Sequence, residues 1–149
     1  MSNAEIAKRI IEHCTRRKVI LANDWLDADK LISRAKMPAT MMFVPMQGRT
    51  VLRNGRKYHT DTIIIACADL VVKDADGKDS IEAYNKARER ADEIVAYLNN
   101  SQKFEPITEY EYTTFLNRYS TIISGVFISI SLTNKGECDD GNYLEHTIR

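Results

Sequence analysis

The residues best able to hold a metal or supply a nucleophile and base are three cysteines, Cys14, Cys67 and Cys138, and three histidines, His13, His59 and His146. They are scattered. Zinc sites place ligands a few residues apart in pairs, and neither C-x-x-C nor H-E-x-x-H occurs. Only His13 and Cys14 are adjacent, and neighbours on a helix point to different faces. The expectation is no metal and no cofactor, with Cys14 and Cys67 as small core residues and His13 in solvent. An odd cysteine count, with no apolar leader in the first residues, fits a reducing compartment better than a disulfide framework. Among the carboxylates, Asp69 in Ala66-Cys67-Ala68-Asp69-Leu70 is the one candidate for a buried acid. As a strand-end aspartate it is expected to be hydrogen-bonded in the adjoining turn. G-x-S-x-G, the P-loop and G-x-G-x-x-G are absent, so no catalytic constellation stands out.

Charge is more informative than chemistry. The 149 residues carry 21 Lys+Arg and 21 Asp+Glu, a net charge of zero that argues against a dedicated nucleic-acid binder. The balance is uneven along the chain. Residues 1–29 are neutral. Residues 30–60 hold seven basic groups, Lys30, Arg34, Lys36, Arg49, Arg53, Arg56 and Lys57, and no acid, so the remainder carries −7. Asn54-Gly55 lies between two strand-like arms, the strongest short hairpin signal, because a type I′ turn needs positive φ at both positions. A two-residue turn sets Arg53 opposite Arg56, Leu52 opposite Lys57 and Val51 opposite Tyr58. Like charges across a strand pair repel, so Arg53 and Arg56 splay into water or meet an anion. Candidate anions on a neighbouring copy are Glu105, Glu109 and Glu111, and Glu137, Asp139 and Asp140. A positive patch meeting a negative one on the next copy is a head-to-tail contact, which closes into rings.

These groups must be positioned by helices and strands. Ser2 and Glu5 form the S-x-x-E capping box, and Ile6, Ile10, Ile11 and Cys14 recur on one face, predicting a helix over 3–17. Residues 18–37 are ambiguous, with Val19-Ile20-Leu21 strand-like and Asp24 to Ala35 helix-like through Trp25, Ala28, Leu31, Ile32 and Ala35. Ala39 to Val44 reads as a strand, followed by a turn signal at Gln47-Gly48. After the hairpin, Asp61 to Val72 reads as a central strand covered on both faces. Asp74-Ala75-Asp76-Gly77 is a plain turn, lacking the closing Glu of a calcium loop. Asp79 and Glu82 then cap a helix over 80–99, with Tyr84, Ala87, Ala91, Ile94, Val95 and Leu98 inward. Tyr110 to Tyr119 and Thr121 to Leu132 are two closing strands, the second with a bulge or bend expected at Gly125. The pattern predicts one α+β domain over 1–133, a mostly antiparallel sheet of about four to six strands with an N-terminal helix and one long helix packed on it. Residues 134–149 read as a polar C-terminal tail. No apolar run approaches the ~20 residues of a membrane-spanning helix.

The order of elements resembles that of the tail-terminator or tail-completion proteins at the neck of tailed bacteriophages, over roughly residues 4–132. The carriers are Met37-Pro38-Ala39-Thr40-Met41-Met42-Phe43-Val44-Pro45 leading into the hairpin, the strand Asp61 to Asp69 and the Asp79 to Leu98 helix. The closing pattern Phe104-Glu105-Pro106-Ile107, then Ser124-Gly125-Val126-Phe127-Ile128, completes it. The resemblance implies a non-enzymatic structural protein of the virion, assembled in the host cytoplasm into a ring, typically hexameric, that caps the tail tube and joins it to the head connector. Its partners would be copies of itself and neighbouring neck or tail proteins, with contact to nucleic acid a lesser option and none to membrane. The alternative is a small-ligand-binding or enzymatic α+β domain with a pocket between the long helix and the sheet. A deep apolar pocket with convergent polar groups would favour that alternative, and a filled core with flat charged faces and protruding arms the structural reading.

Overall fold

The N-terminal capping box forms as the sequence predicts. Ser2 Oγ accepts from the Glu5 amide, Glu5 reaches back to Ser2, and helix α1 (Asn3–Thr15) follows. It stops two residues earlier than expected because Arg16 takes a left-handed conformation, φ 57°. Thr15 Oγ1 accepts from the Arg17 amide, and Glu12 from the Val19 amide, turning the chain into the first strand. The computed structural model describes residues 1–24, 31, 36–45, 47–70, 77–118 and 122–136. The helix-like stretch around Trp25, Ala28, Ile32 and Ala35, the turn at Asp74-Ala75-Asp76, and the tail from Glu137 onward lie outside the described residues.

Six strands form one mixed, mostly antiparallel sheet: β1 (Ile20–Ala22), β2 (Ala39–Phe43), β3 (Gln47–Arg53), β4 (Arg56–Leu70), β5 (Glu111–Arg118) and β6 (Ile122–Thr133). The order is β1-β2-β4-β6-β5, with β3 paired to β4 in line with β2. Only β1 runs parallel to its neighbour. Gln47-Gly48, expected to turn, instead opens β3 opposite Thr62 and Asp61. The long helix, α2 (Gly77–Asn100), begins before the anticipated cap, leaving Asp79 within its first turn. An acid there faces the positive end of the helix dipole.

Alternation along β4 and β6 divides the sheet into two faces. Ile63, Ile65 and Cys67 of β4 and Val126, Ile128, Ile130 and Leu132 of β6 point to the side covered by both helices. There they pack against Ala7 and Ile11 of α1 and Ala87, Ala91, Ile94 and Leu98 of α2. The other side holds a smaller cluster of Ala22, Met41, Phe43 and Ala66, extended by Leu31 and by Phe127 stacked on Phe115 at 4.4 Å. Beyond it that face is polar, with Thr62, Ser129, Ser131 and Thr113 exposed. β4 is thus covered on both sides at its Ala66–Ala68 end and only on the helix side at Thr62.

Two expectations need correction, and a third gains a partner. Cys14 is exposed, because α1 is buried along Ala4, Ala7 and Ile11 and Cys14 falls outside that stripe. Gly125 makes no bulge: its pairing with Ala68 on one side and Phe115 on the other is continuous. The glycine is required by close approach, since a Cβ there would lie 1.9 Å from the Cys67 carbonyl oxygen and 2.9 Å from the Phe115 ring. Asp69, whose adjoining turn lies outside the described residues, is bonded to the long helix. It pairs with Arg90 of α2 at 3.3 Å, while Arg90 also donates to the Ala68 carbonyl at 2.8 Å, tying helix to sheet.

Candidate functional site

The basic hairpin has the geometry its sequence requires. Asn54 and Gly55 take φ of 51° and 74°, the two left-handed positions of a type I′ turn. The register then places Arg53 across from Arg56, Leu52 from Lys57 and Val51 from Tyr58. β6 accompanies β4 only as far as Thr60, opposite Thr133, so the tip extends past the end of that ladder. Arg49, Arg53 and Arg56 are exposed and Lys57 is half-buried. By alternation the three arginines share the face turned away from the helices, whereas Leu52 and Lys57 share the helix face.

The base of this arm is held by polar groups that composition did not single out. Asn134, which by its polar surroundings reads as tail, is instead buried. Its Oδ1 accepts from the His59 amide at 2.6 Å, its Nδ2 donates to the Lys57 carbonyl at 3.2 Å, and its own amide donates to the His59 carbonyl. Asn3, also buried, donates from Nδ2 to the carbonyls of His59 and Leu132 at 3.0 and 3.1 Å. Thr60 and Thr133 share a hydroxyl contact of 2.8 Å, and Thr50 Oγ1 lies 2.8 Å from His59 Nδ1 across the hairpin. Two buried side-chain amides, from the first helix and from just past the last strand, therefore lock the arm to the domain. Neither could be picked from sequence, since an asparagine next to a cap or in a polar stretch carries no mark of burial.

The acids fall into two groups. Glu137, Asp139 and Asp140 lie outside the described residues. Glu105, Glu109 and Glu111 are exposed and line the run into β5, on the opposite sheet edge from β3. Beside them Tyr110 donates its hydroxyl to Asp92 of α2, and burial together with that carboxylate pushes its pKa up to about 12. Tyr84 of α2 and Tyr112 of β5 sit with ring centroids 6.3 Å apart, and their hydrogen bond raises the Tyr84 pKa.

Three clefts accompany these surfaces. One, of about 540 Å³, is lined by Arg17, Lys18, Lys36 and the apolar Ile20, Leu31 and Pro38. A polar one of about 500 Å³ runs between the 106–111 segment and Ser129, Ser131 and Thr133. The third, about 390 Å³, lies between the helices at His13, Cys14 and Tyr97. Cys67 is no nucleophile, because burial pushes its thiol up to about 11. Among the described residues no three of His, Cys, Asp and Glu are grouped to hold a metal, and no helix is long and apolar enough to cross a membrane. No protein family matches the chain by sequence, and no curated protein is similar to it.

Proposed function

We propose that this chain is a non-enzymatic assembly protein whose copies join head to tail into a ring, at the neck or tail of a phage or prophage. The observation that carries the reading is the β3–β4 arm. Three exposed arginines stand on one face of a hairpin that extends past its neighbouring strand, with its base clamped by Asn3 and Asn134. An arm so firmly anchored and so positively charged is suited to reach another surface. The acids that could receive it, Glu105, Glu109 and Glu111, lie on the far edge of the same sheet, so a contact between copies repeats in one direction. In the virion the ring would cap the tail tube and meet neck or tail proteins through its loops and termini.

The interior supports this reading over a ligand pocket beneath the long helix. Between α2 and the sheet, Ile65, Cys67, Ala87, Ala91, Val126 and Ile128 are each at most 1% exposed, so this layer is closed to solvent. The small-ligand reading draws instead on the cleft at Arg17, Lys18 and Lys36, whose cations suit an anion. Calorimetric titration of small phosphates and carboxylates into wild-type protein and a Lys36→Ala variant would detect it. For the assembly reading the test is sedimentation velocity over a range of protein concentrations at low salt, with electron microscopy of any oligomer. Closed rings are the expected result, and a monomer at every concentration, alone and with tail components, would overturn it.

A further inference from the structure

Among the described residues, no strand pairs with the outer edge of β3 or with that of β5. These edges are seven and eight residues long. Open edges of this length recruit other strands unless blunted by proline, charge or a bulge. Neither strand contains proline and both ladders are continuous. The charges they carry, Arg49 and Arg53 on β3 and Glu111 and Arg118 on β5, repel a like edge, but Arg53 and Glu111 are complementary.

The hydrogen-bonding parity of the two edges matches. The two-residue turn makes Arg53 and Arg56 a bonded pair, so Val51 and Arg49 also bond inward. Gly48, Thr50 and Leu52 then turn their N–H and C=O groups outward. On the other side, the Thr133 carbonyl accepts from the Glu105 amide, which sets alternate residues of β6 toward β5. Through the β5–β6 register, Glu111, Thr113 and Phe115 bond inward and Tyr112, Thr114 and Leu116 outward. Both outward sets lie on the helix face, so pairing them keeps the helices of the two copies on one side of a shared sheet.

Resting on that head-to-tail reading, we propose that the β3 edge of one copy pairs antiparallel with the β5 edge of the next, Leu52 opposite Tyr112 and Arg53 opposite Glu111. This register overlaps the whole of β3. It answers two separate features of the isolated chain. On the helix face, Leu52 and Tyr112, 64% and 51% exposed, cover each other. On the other face, Glu111 supplies the anion that the Arg53–Arg56 pair lacks within the hairpin. A slip of one residue would send Leu52 against Glu111 and abolish both matches. The contact uses different surfaces on the two copies and so propagates in one direction, into a ring where the rotation between copies closes.

The test is site-directed cross-linking between copies, in a background with Cys14→Ser and Cys138→Ser. Val51 and Thr113 would form a non-hydrogen-bonded pair with Cα atoms about 4.5 Å apart, a span a disulfide accepts. Under mild oxidation, V51C mixed with T113C should give a covalent dimer, and V51C mixed with T114C, on the opposite face, should not. In sedimentation, R53E should weaken association about tenfold or more by setting two acids face to face, and adding E111R to the same chain should restore it. Oligomers that persist in R53E and give no V51C–T113C cross-link would overturn this edge pairing while leaving head-to-tail assembly intact through another surface. A chain that stays monomeric at all concentrations and low salt would overturn both.

Discussion

Asn134 shows how one side chain can decide whether a surface loop is an arm or a frayed strand. Its three hydrogen bonds to His59 and Lys57 are made where β6 has ended and β4 continues paired with β3 alone. Asn134→Ala removes the two side-chain bonds and leaves a half-buried His59 amide unsatisfied, a loss of about 2–4 kcal/mol. Urea denaturation should show that loss, and hydrogen exchange should quicken first at the hairpin base rather than in α2. His59 and Asn134 are legible in the sequence only as polar letters, because burial of an amide depends on which strand ends beside it. The cysteines teach the same lesson in reverse. Helical spacing puts Cys14 in the core, yet the stripe that α1 buries runs through its alanines, and the thiol stands in solvent. Cys67 has its thiol pushed up to about 11 by burial and stays protonated through the neutral range. In a Cys138→Ser variant at about pH 8, near the ordinary thiol range, iodoacetamide should therefore modify Cys14 promptly and Cys67 only after unfolding, as mass spectrometry would read directly.

Elements whose local signal and tertiary role agree are readable in advance. The capping box, the Asn-Gly hairpin with its register, the inward stripe of α2 and the alternation of β6 are each dictated by neighbours a few residues away. Elements whose geometry depends on distant chain are not. Gln47-Gly48 has turn composition but becomes strand because β4 offers it a ladder, and Gly125 reads as an irregularity without revealing its cause. The two glycines at Gly55 and Gly125 separate these cases. A methyl group added at Gly55 would meet nothing within 4 Å, but φ there is +74°, so Gly55→Ala should cost about 1–2 kcal/mol through backbone strain alone. Gly125 lies at the crossing of two ladders, where an added Cβ meets a backbone carbonyl that cannot move without breaking β4. Gly125→Ala should cost about 3 kcal/mol or more, at the upper end of overpacking losses. Thermal denaturation of the two variants side by side checks the ranking, and equal losses would contradict it.

At the scale of the whole molecule, the zero net charge conceals an arrangement that the fold makes directional. The arginines of the hairpin lie along one sheet edge and Glu105, Glu109 and Glu111 along the other, with the apolar core between them. The charge segregation is visible in the sequence, but its placement on opposite edges follows from the strand order, which no local pattern encodes. Salt then separates the forces that would join the copies. Raising it from about 0.1 M to about 1 M shortens the screening length from ~10 to ~3 Å. The arginine–carboxylate attraction should fade over that range, while backbone pairing and the cover of Leu52 by Tyr112 should persist. The association constant measured by sedimentation should accordingly fall several-fold and then level off. A surface that instead binds polynucleotide phosphates would show log affinity falling linearly with log salt, with a slope set by the number of phosphates neutralised. Association that strengthens with salt would assign the contact to apolar surface and remove the arginines from it.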